Sequence, residues 1–316
     1  MTARPFEKLG LLFGPDGSVP WMKSHAQLPL VVPSEDGGDR FNAYFASRDA
    51  DQRSHVGMVT LELGDRPRVL SFEREPLLRP GGVGAFDADG VYPSSLVRVG
   101  GEDRLYYIGW LRGARGPLFL SAIGLATAPA GSQRFSRHSL APIVDRGPHD
   151  PCLVTSPFVY ADGAGWRMVY VSGVAWTEDA AGALHSHYNL KTATSSDGVG
   201  WTRSGQVAID FKDAGETNIA RPCVVRTATS WRMWFCAASP PSSYRLGYAE
   251  SADGVTWRRC DELAGLEPSP DPSAFDADMV AYPCAVRHRG TEFLFYNGNG
   301  FGRDGFAVAR RQAVDD

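Results

Sequence analysis

The chain has 316 residues, 43% hydrophobic and 22% charged, with a formal net charge of −4. Its mixed charge excludes an extended basic field for nucleic acid, and no apolar run approaches the roughly 20 residues that span a bilayer. Met1 to Gly10 lacks the apolar core and cleavage pattern of a secretory signal. The cysteines (Cys152, Cys223, Cys236, Cys260, Cys284) are odd in number without a C-x-x-C pair, which fits reduced structural thiols in a cytoplasmic protein.

The first predicted element is a short apolar strand, Lys8 to Phe13. The chain then begins to repeat. Pro29, Pro93, Pro157, Pro222 and Pro283 follow one another at 64, 64, 65 and 61 residues, a period of five units. Unit one runs from Leu28-Pro29-Leu30-Val31-Val32 through Phe41–Ser47 to His55–Leu63. Unit two carries Pro93 to Val97, Leu105–Trp110 and Ala122–Thr127. Unit three has Pro157 to Tyr160, Trp166–Ser172 and Tyr188–Thr194, and a fourth segment follows in each of units one to four, such as Trp201–Ile209 here. Unit four has Pro222 to Val225, Trp231–Ala237 and Arg245–Glu250. Unit five has Pro283 to Val286, Glu292–Asn297 and Gly305–Ala309, and runs out at Arg311.

These segments are short, β-branched or aromatic, and bounded by Gly, Pro, Asp and Ser, so they read as strands. A proline at the first residue of a strand costs no ladder bond. Four strands in each of five units of about 60 residues describe one all-β domain over residues 1–316, a five-bladed β-propeller. The fifth unit is one strand short. Lys8 to Phe13 supplies the missing strand and protects an edge that would otherwise stand open. Ser196-Asp197-Gly198 and Ala252-Asp253-Gly254, each followed by a Trp three residues on, read as structural hairpin turns. Trp166, Trp231 and Trp257 are expected between blades.

A ring gathers the loops before its first strands at one mouth. Those loops hold Lys23 and His25; Asp87, Asp89 and Tyr92; His149 and Asp150; Glu216 and Arg221; and Asp276, Asp278 and Tyr282. They are far more polar than the strands they precede. They line either a pocket or merely a solvated rim.

Five units, first strands opening on Pro, and second strands such as Trp231-Arg232-Met233-Trp234-Phe235 together resemble the propeller glycosidase superfamily, glycoside hydrolase families 32, 43, 62 and 68 and the related mannoside phosphorylases. Lys23-Ser24-His25-Ala26-Gln27-Leu28-Pro29, Ala220-Arg221-Pro222-Cys223 and Tyr296-Asn297-Gly298-Asn299-Gly300 resemble a bacterial subgroup that lacks the usual carboxylate positions. The resemblance implies a carbohydrate-active enzyme acting on a small sugar or glycoconjugate. Family 43 places Asp directly before the proline in two blades and Glu two residues before it in another. Here Leu28, Tyr92, Ser156, Arg221 and Tyr282 precede the prolines, so that triad does not carry over.

Glycoside hydrolysis ordinarily uses two carboxyls. Glu216 as acid and Asp150 as base are the first choice on this rim. Asp87 with Asp89, and Asp276 with Asp278, are i, i+2 pairs suited to sugar hydroxyls or a shared divalent cation in the channel, or else they cap turns. His25 and His149 are candidates for acid–base work. No metal signature stands out. Arg221 suits a ligand carboxylate or phosphate, or a neighbouring Asp. Tyr92, Tyr282, Trp110, Tyr188 and Asn297 complete the expected sugar-binding set. Two alternatives stand beside glycosyl hydrolysis or transfer. One is a diverged propeller that runs a proton-transfer, cyclisation or tailoring step through His25, His149 and Arg221. The other is a non-catalytic sugar-binding module.

Overall fold

The computed structural model describes residues 5–163 and 165–313. They are nearly all β, with only Asp261–Leu263 and Asn299–Gly302 helical among them. The strands are β1 (Glu7–Phe13), β2 (Ser24–Pro33), β3 (Arg40–Arg48), β4 (Ser54–Glu62) and β5 (Arg68–Phe72). There follow β6 (Gly90–Val99), β7 (Glu102–Arg112), β8 (Phe119–Pro129) and β9 (Ser136–Arg137), then β10 (Leu153–Asp162), β11 (Gly165–Glu178), β12 (Leu184–Ser195) and β13 (Thr202–Ile209). Next come β14 (Asn218–Arg226), β15 (Trp231–Ala238), β16 (Arg245–Ser251) and β17 (Arg258–Arg259), and last β18 (Ala281–His288), β19 (Thr291–Asn297) and β20 (Phe306–Gln312).

Two eight-stranded sheets and one four-stranded sheet form. Each large sheet is two antiparallel meanders linked by a single parallel residue pair, Ser54↔Gly90 in one and Tyr188↔Asn218 in the other. The third sheet runs β1-β20-β19-β18, so the N-terminal strand completes the last meander, pairing Glu7 with Arg310 and Leu11 with Ala307. The first strands touch in a closed cycle: β2 with β6, β6 with β10, β10 with β14, β14 with β18, and β18 with β2. Hydrophobic clusters fill the spaces between neighbouring meanders. One of them joins Val31, Phe41 and Phe45 of the first meander to Phe293, Phe295 and Phe306 of the last. Trp231 packs on Tyr160 of the preceding meander, ring centroids 5.0 Å apart.

The repeat prolines do not open their strands, contrary to the expectation from sequence. Each first strand begins two to five residues earlier, and the proline sits at a break of register. In four units the proline is among the residues that the bulge leaves unpaired, so its missing N–H costs no ladder bond there. In unit two Pro93 keeps Tyr107 opposite it, and Ser94 is the residue left over. In the other four units the residue before the proline is left-handed: Leu28 (φ 52°), Ser156 (φ 47°), Arg221 (φ 55°) and Tyr282 (φ 56°). Non-glycine residues enter that region only under constraint. The bulge swings these side chains away from the alternation of the strand, toward the place where the first strands converge.

Candidate functional site

Where the first strands converge lies a cavity of about 540 Å³. Seven aromatic side chains line it: Tyr92, Trp110, Phe119, Tyr188, Tyr244, Tyr282 and Phe301. Trp110 stacks on Phe119 with centroids 6.3 Å apart, and Tyr282 on Phe301 at the same separation. The polar lining comes from Gln27, Thr155, Ser156, Ser186, Asn218 and Ser243, and Arg48 is its single charged side chain. The residues just before the repeat prolines put Leu28, Tyr92, Ser156 and Tyr282 here. Most of the others stand at the adjoining ends of second and third strands. A smaller cavity of about 200 Å³ continues beside it, sharing Phe119, Ser186 and Asn218 and adding Trp176.

Several lining groups are held in place. Tyr188 and Tyr244 share a hydrogen bond between their hydroxyls. Gln27 Nε2 donates to the Phe301 carbonyl at 2.7 Å, and Asn218 Nδ2 donates to the Ser186 carbonyl at 2.9 Å. Burial pushes the Tyr188 phenol up to about 12, and raises Tyr244 and Tyr282 well above the usual range. These phenols stay protonated at neutral pH and act as hydrogen-bond donors.

The structure places the rim carboxylates elsewhere. Asp87, Asp150 and Asp276 are buried, and each follows one plan. The carboxylate precedes the first strand, accepts from a tyrosine of the second strand, and pairs with a base on the fourth. Asp87 accepts from Tyr107 at 3.0 Å and pairs with Arg137 of β9 at 2.7 Å. Asp150 accepts from Tyr170 at 3.1 Å and pairs with Arg203 of β13 at 2.7 Å, with Lys191 at 3.7 Å. Asp276 accepts from Tyr296 at 3.0 Å and pairs with Lys8 of β1 at 2.7 Å. Lys8 thus fills the fourth-strand role from the opposite end of the chain. In the fourth copy Glu216 takes a two-pronged contact from Arg259 of β17 at 2.6 and 2.8 Å, and Phe235 replaces the tyrosine beneath the guanidinium. These four side chains lie outside the lining of the cavity and tie each meander together.

Asp89 accepts from the Arg112 backbone N–H at 2.9 Å and stands 3.8 Å from its guanidinium. Asp278 is exposed, its backbone N–H donating to Asn299. Asn297 is fully buried. It accepts from the Leu28 N–H and donates to the carbonyls of Ala26 and Gly305, each at 2.8 Å, and so ties the last meander to the first. Arg221 is buried and donates to the carbonyls of Pro93 (3.1 Å) and Pro29 (3.1 Å) and to Ser94 Oγ (2.9 Å). It bridges three first strands rather than facing the cavity. His149 is exposed, and its carbonyl takes Lys191. Among the described residues no group of three His, Cys, Asp or Glu side chains is arranged to hold a metal ion.

His25 contacts Ser24 Oγ through Nδ1 at 2.8 Å. Burial, then the charges of Arg48 and Arg303, lower its pKa from 6.5 to about 4. The unfolded chain therefore takes up a proton between pH 6.5 and 4 that the native protein refuses, and the native state loses stability as pH falls through that window. In urea unfolding, His25→Gln is expected to make the midpoint fall less steeply than wild type over that interval. Parallel curves for the two proteins would remove His25 from the account.

Sequence reading names Tyr92, Trp110, Tyr188 and Tyr282 of the cavity wall and misses Arg48, Phe119, Tyr244 and Phe301. A signal exists for three of these. In an antiparallel meander the start of strand one, the end of strand two and the start of strand three share one edge. Arg48 ends β3, Phe119 begins β8, and Tyr244 directly precedes β16.

The fold is that of the propeller glycosidases. Similar solved structures include one described as "Glycoside hydrolase" (TM-score 0.73, 17% identity, 99% of this chain and 93% of the other). Another is the beta-1,2-mannobiose phosphorylase from Listeria innocua with beta-1,2-mannobiose (TM-score 0.71, 11% identity, 98% and 96%). A third is an alpha-L-arabinofuranosidase from Lactobacillus brevis (TM-score 0.69, 10% identity, 94% of each). No family model matches the chain. The chain belongs to the same family as two Mycobacterium tuberculosis proteins, "Uncharacterized protein MT1551" (strain CDC 1551, 41% identical) and "Uncharacterized protein Rv1502" (strain H37Rv, 40% identical); each match covers 96% of this chain and 98% of the relative. Among the described residues no helix is long and apolar enough to cross a membrane.

Proposed function

We propose that the chain is a single five-bladed propeller whose axial cavity binds a small sugar or glycoconjugate, as a carbohydrate-active protein. The closed cycle of contacts among first strands supports the blade count. The single observation that carries the function is the composition of the cavity wall. Seven aromatic side chains and six neutral polar ones surround a space the size of one or two sugar rings, with no carboxylate among them. Aromatic faces stack on the C–H faces of sugars, and fixed amides and hydroxyls pair with their hydroxyls.

Hydrolysis or transfer by Glu216 and Asp150 would require both carboxylates to leave their arginines and enter the cavity. Recognition by stacking and neutral hydrogen bonds needs no rearrangement, and is the reading the geometry favours. Calorimetric titration with a panel of mono- and disaccharides tests it. Trp110→Ala and Tyr282→Ala are each expected to weaken the best binder roughly tenfold, since each removes an aromatic face worth about 1–2 kcal/mol. Wild-type turnover of an aryl glycoside that disappears in a folded Glu216→Gln variant would overturn the non-hydrolytic reading.

A further inference from the structure

Arg48 is the cavity's one charged side chain, and it lacks a counter-ion. Its guanidinium Nη2 lies 3.4 Å from Gln27 Oε1. Among the described residues no carboxylate stands in ion-pairing range of it, although Arg40 at the opposite end of β3 and Arg53 just beyond the strand are both paired. The nearby acid Asp89 is engaged by Arg112. His25 is kept neutral first by its burial and then by the charges of Arg48 and Arg303. Arg48 is thus the one charge that the cavity lining carries, in a chain whose net charge is −4. A half-buried guanidinium facing an otherwise neutral pocket keeps its donors for a planar or tetrahedral anion, which it takes in two-pronged fashion.

We propose that the ligand is a sugar bearing one anionic group, a carboxylate or a phosphate, and that Arg48 receives that group while the aromatic wall holds the ring. This rests on the sugar-binding reading above. It also reassigns the anion-binding role that the sequence suggested for Arg221, whose donors are taken up by backbone carbonyls.

The test is calorimetric titration of the intact protein with glucose, galactose and mannose, their uronic acids, their 6-phosphates, and inorganic phosphate alone. At least one uronic acid or sugar phosphate is expected to bind roughly 10- to 100-fold more tightly than its neutral parent, the range for a hydrogen bond to a charged group. The uronate and phosphate arms distinguish the two anions. Arg48→Met should remove that difference, and Arg48→Lys should restore part of it. Neutral and anionic sugars binding alike, or a preference that survives Arg48→Met, would overturn the anionic assignment and leave sugar binding standing. Inorganic phosphate binding as tightly as any sugar phosphate would also overturn it. Absence of binding by every sugar would bring down both readings.

Discussion

Asp150→Asn is expected to destabilise the protein by about 3–5 kcal/mol, the range for removing one partner of a buried ion pair. Asp150 is fully buried and neutralises two bases, Arg203 at 2.7 Å and Lys191 at 3.7 Å. Lys191 is itself buried, and its other partner is the His149 carbonyl. An amide in place of the carboxylate leaves two positive charges against one neutral oxygen and turns an N–H₂ toward one of them. Glu216→Gln should cost less, because Arg259 keeps Asp261 at 2.7 Å. The midpoint of urea unfolding, followed by tryptophan fluorescence, ranks the two variants. A stable Asp150→Asn protein that has lost turnover on a sugar would return Asp150 to the catalytic role that its position on the rim suggested.

Arg221→Ala is the second large effect, about 3 kcal/mol or more, because its loss leaves buried carbonyls without donors at about 1–3 kcal/mol each and opens a cavity on the axis. The guanidinium is a common donor for the first strands of three units. It reaches Pro93 O and Ser94 Oγ on β6 and Pro29 O on β2, while its own backbone belongs to β14. The backbone supplies a control. Arg221 is left-handed at φ 55°, so Arg221→Gly relieves the strain while losing the same contacts. Alanine should therefore be the worse of the two, with both well below wild type in thermal unfolding. A glycine variant as stable as wild type would show that the strained backbone, and not the guanidinium, governs this position. Cys223 and Cys284 lie close to it, each accepting a backbone N–H, from Ala285 at 3.2 Å and Val31 at 3.3 Å, so the centre is built from groups that satisfy one another.

The four-copy tie explains why sequence alone misplaces the carboxylates. Asp87, Asp150, Glu216 and Asp276 stand out as recurring acids on converging loops. The spacing that matters is to the second strand: Asp87–Tyr107, Asp150–Tyr170 and Asp276–Tyr296 are each 20 residues apart. An acid that recurs in step with an aromatic residue of the next strand is part of the repeat, and a repeated feature serves the unit before it serves the pocket. The bases that complete the ties are hidden for a different reason. Arg137, Arg203, Arg259 and Lys8 stand on outer strands whose register is set by packing. The first meander shows the plan by exception, since Phe45 takes the tyrosine's place and stacks on Trp21 at 6.1 Å, with no acid to bind.

Strand type, the order of segments and the spare N-terminal strand followed from the sequence by itself, because alternation, turn residues and a proline period are local properties that every unit repeats. Tertiary structure decided which polar groups face inward. The register break at Pro283 brings Tyr282 to the cavity wall, while Tyr92 reaches it with its ladder pairing to Ile108 intact. The break at Pro222 turns Arg221, from the matching position, onto the carbonyls of neighbouring strands. Its place at the end of β3 puts Arg48 at the edge where the pocket forms, but which groups it meets there come from units far away in the chain. Such a meeting depends on how separate sheets close against one another, and no window of sequence carries that information.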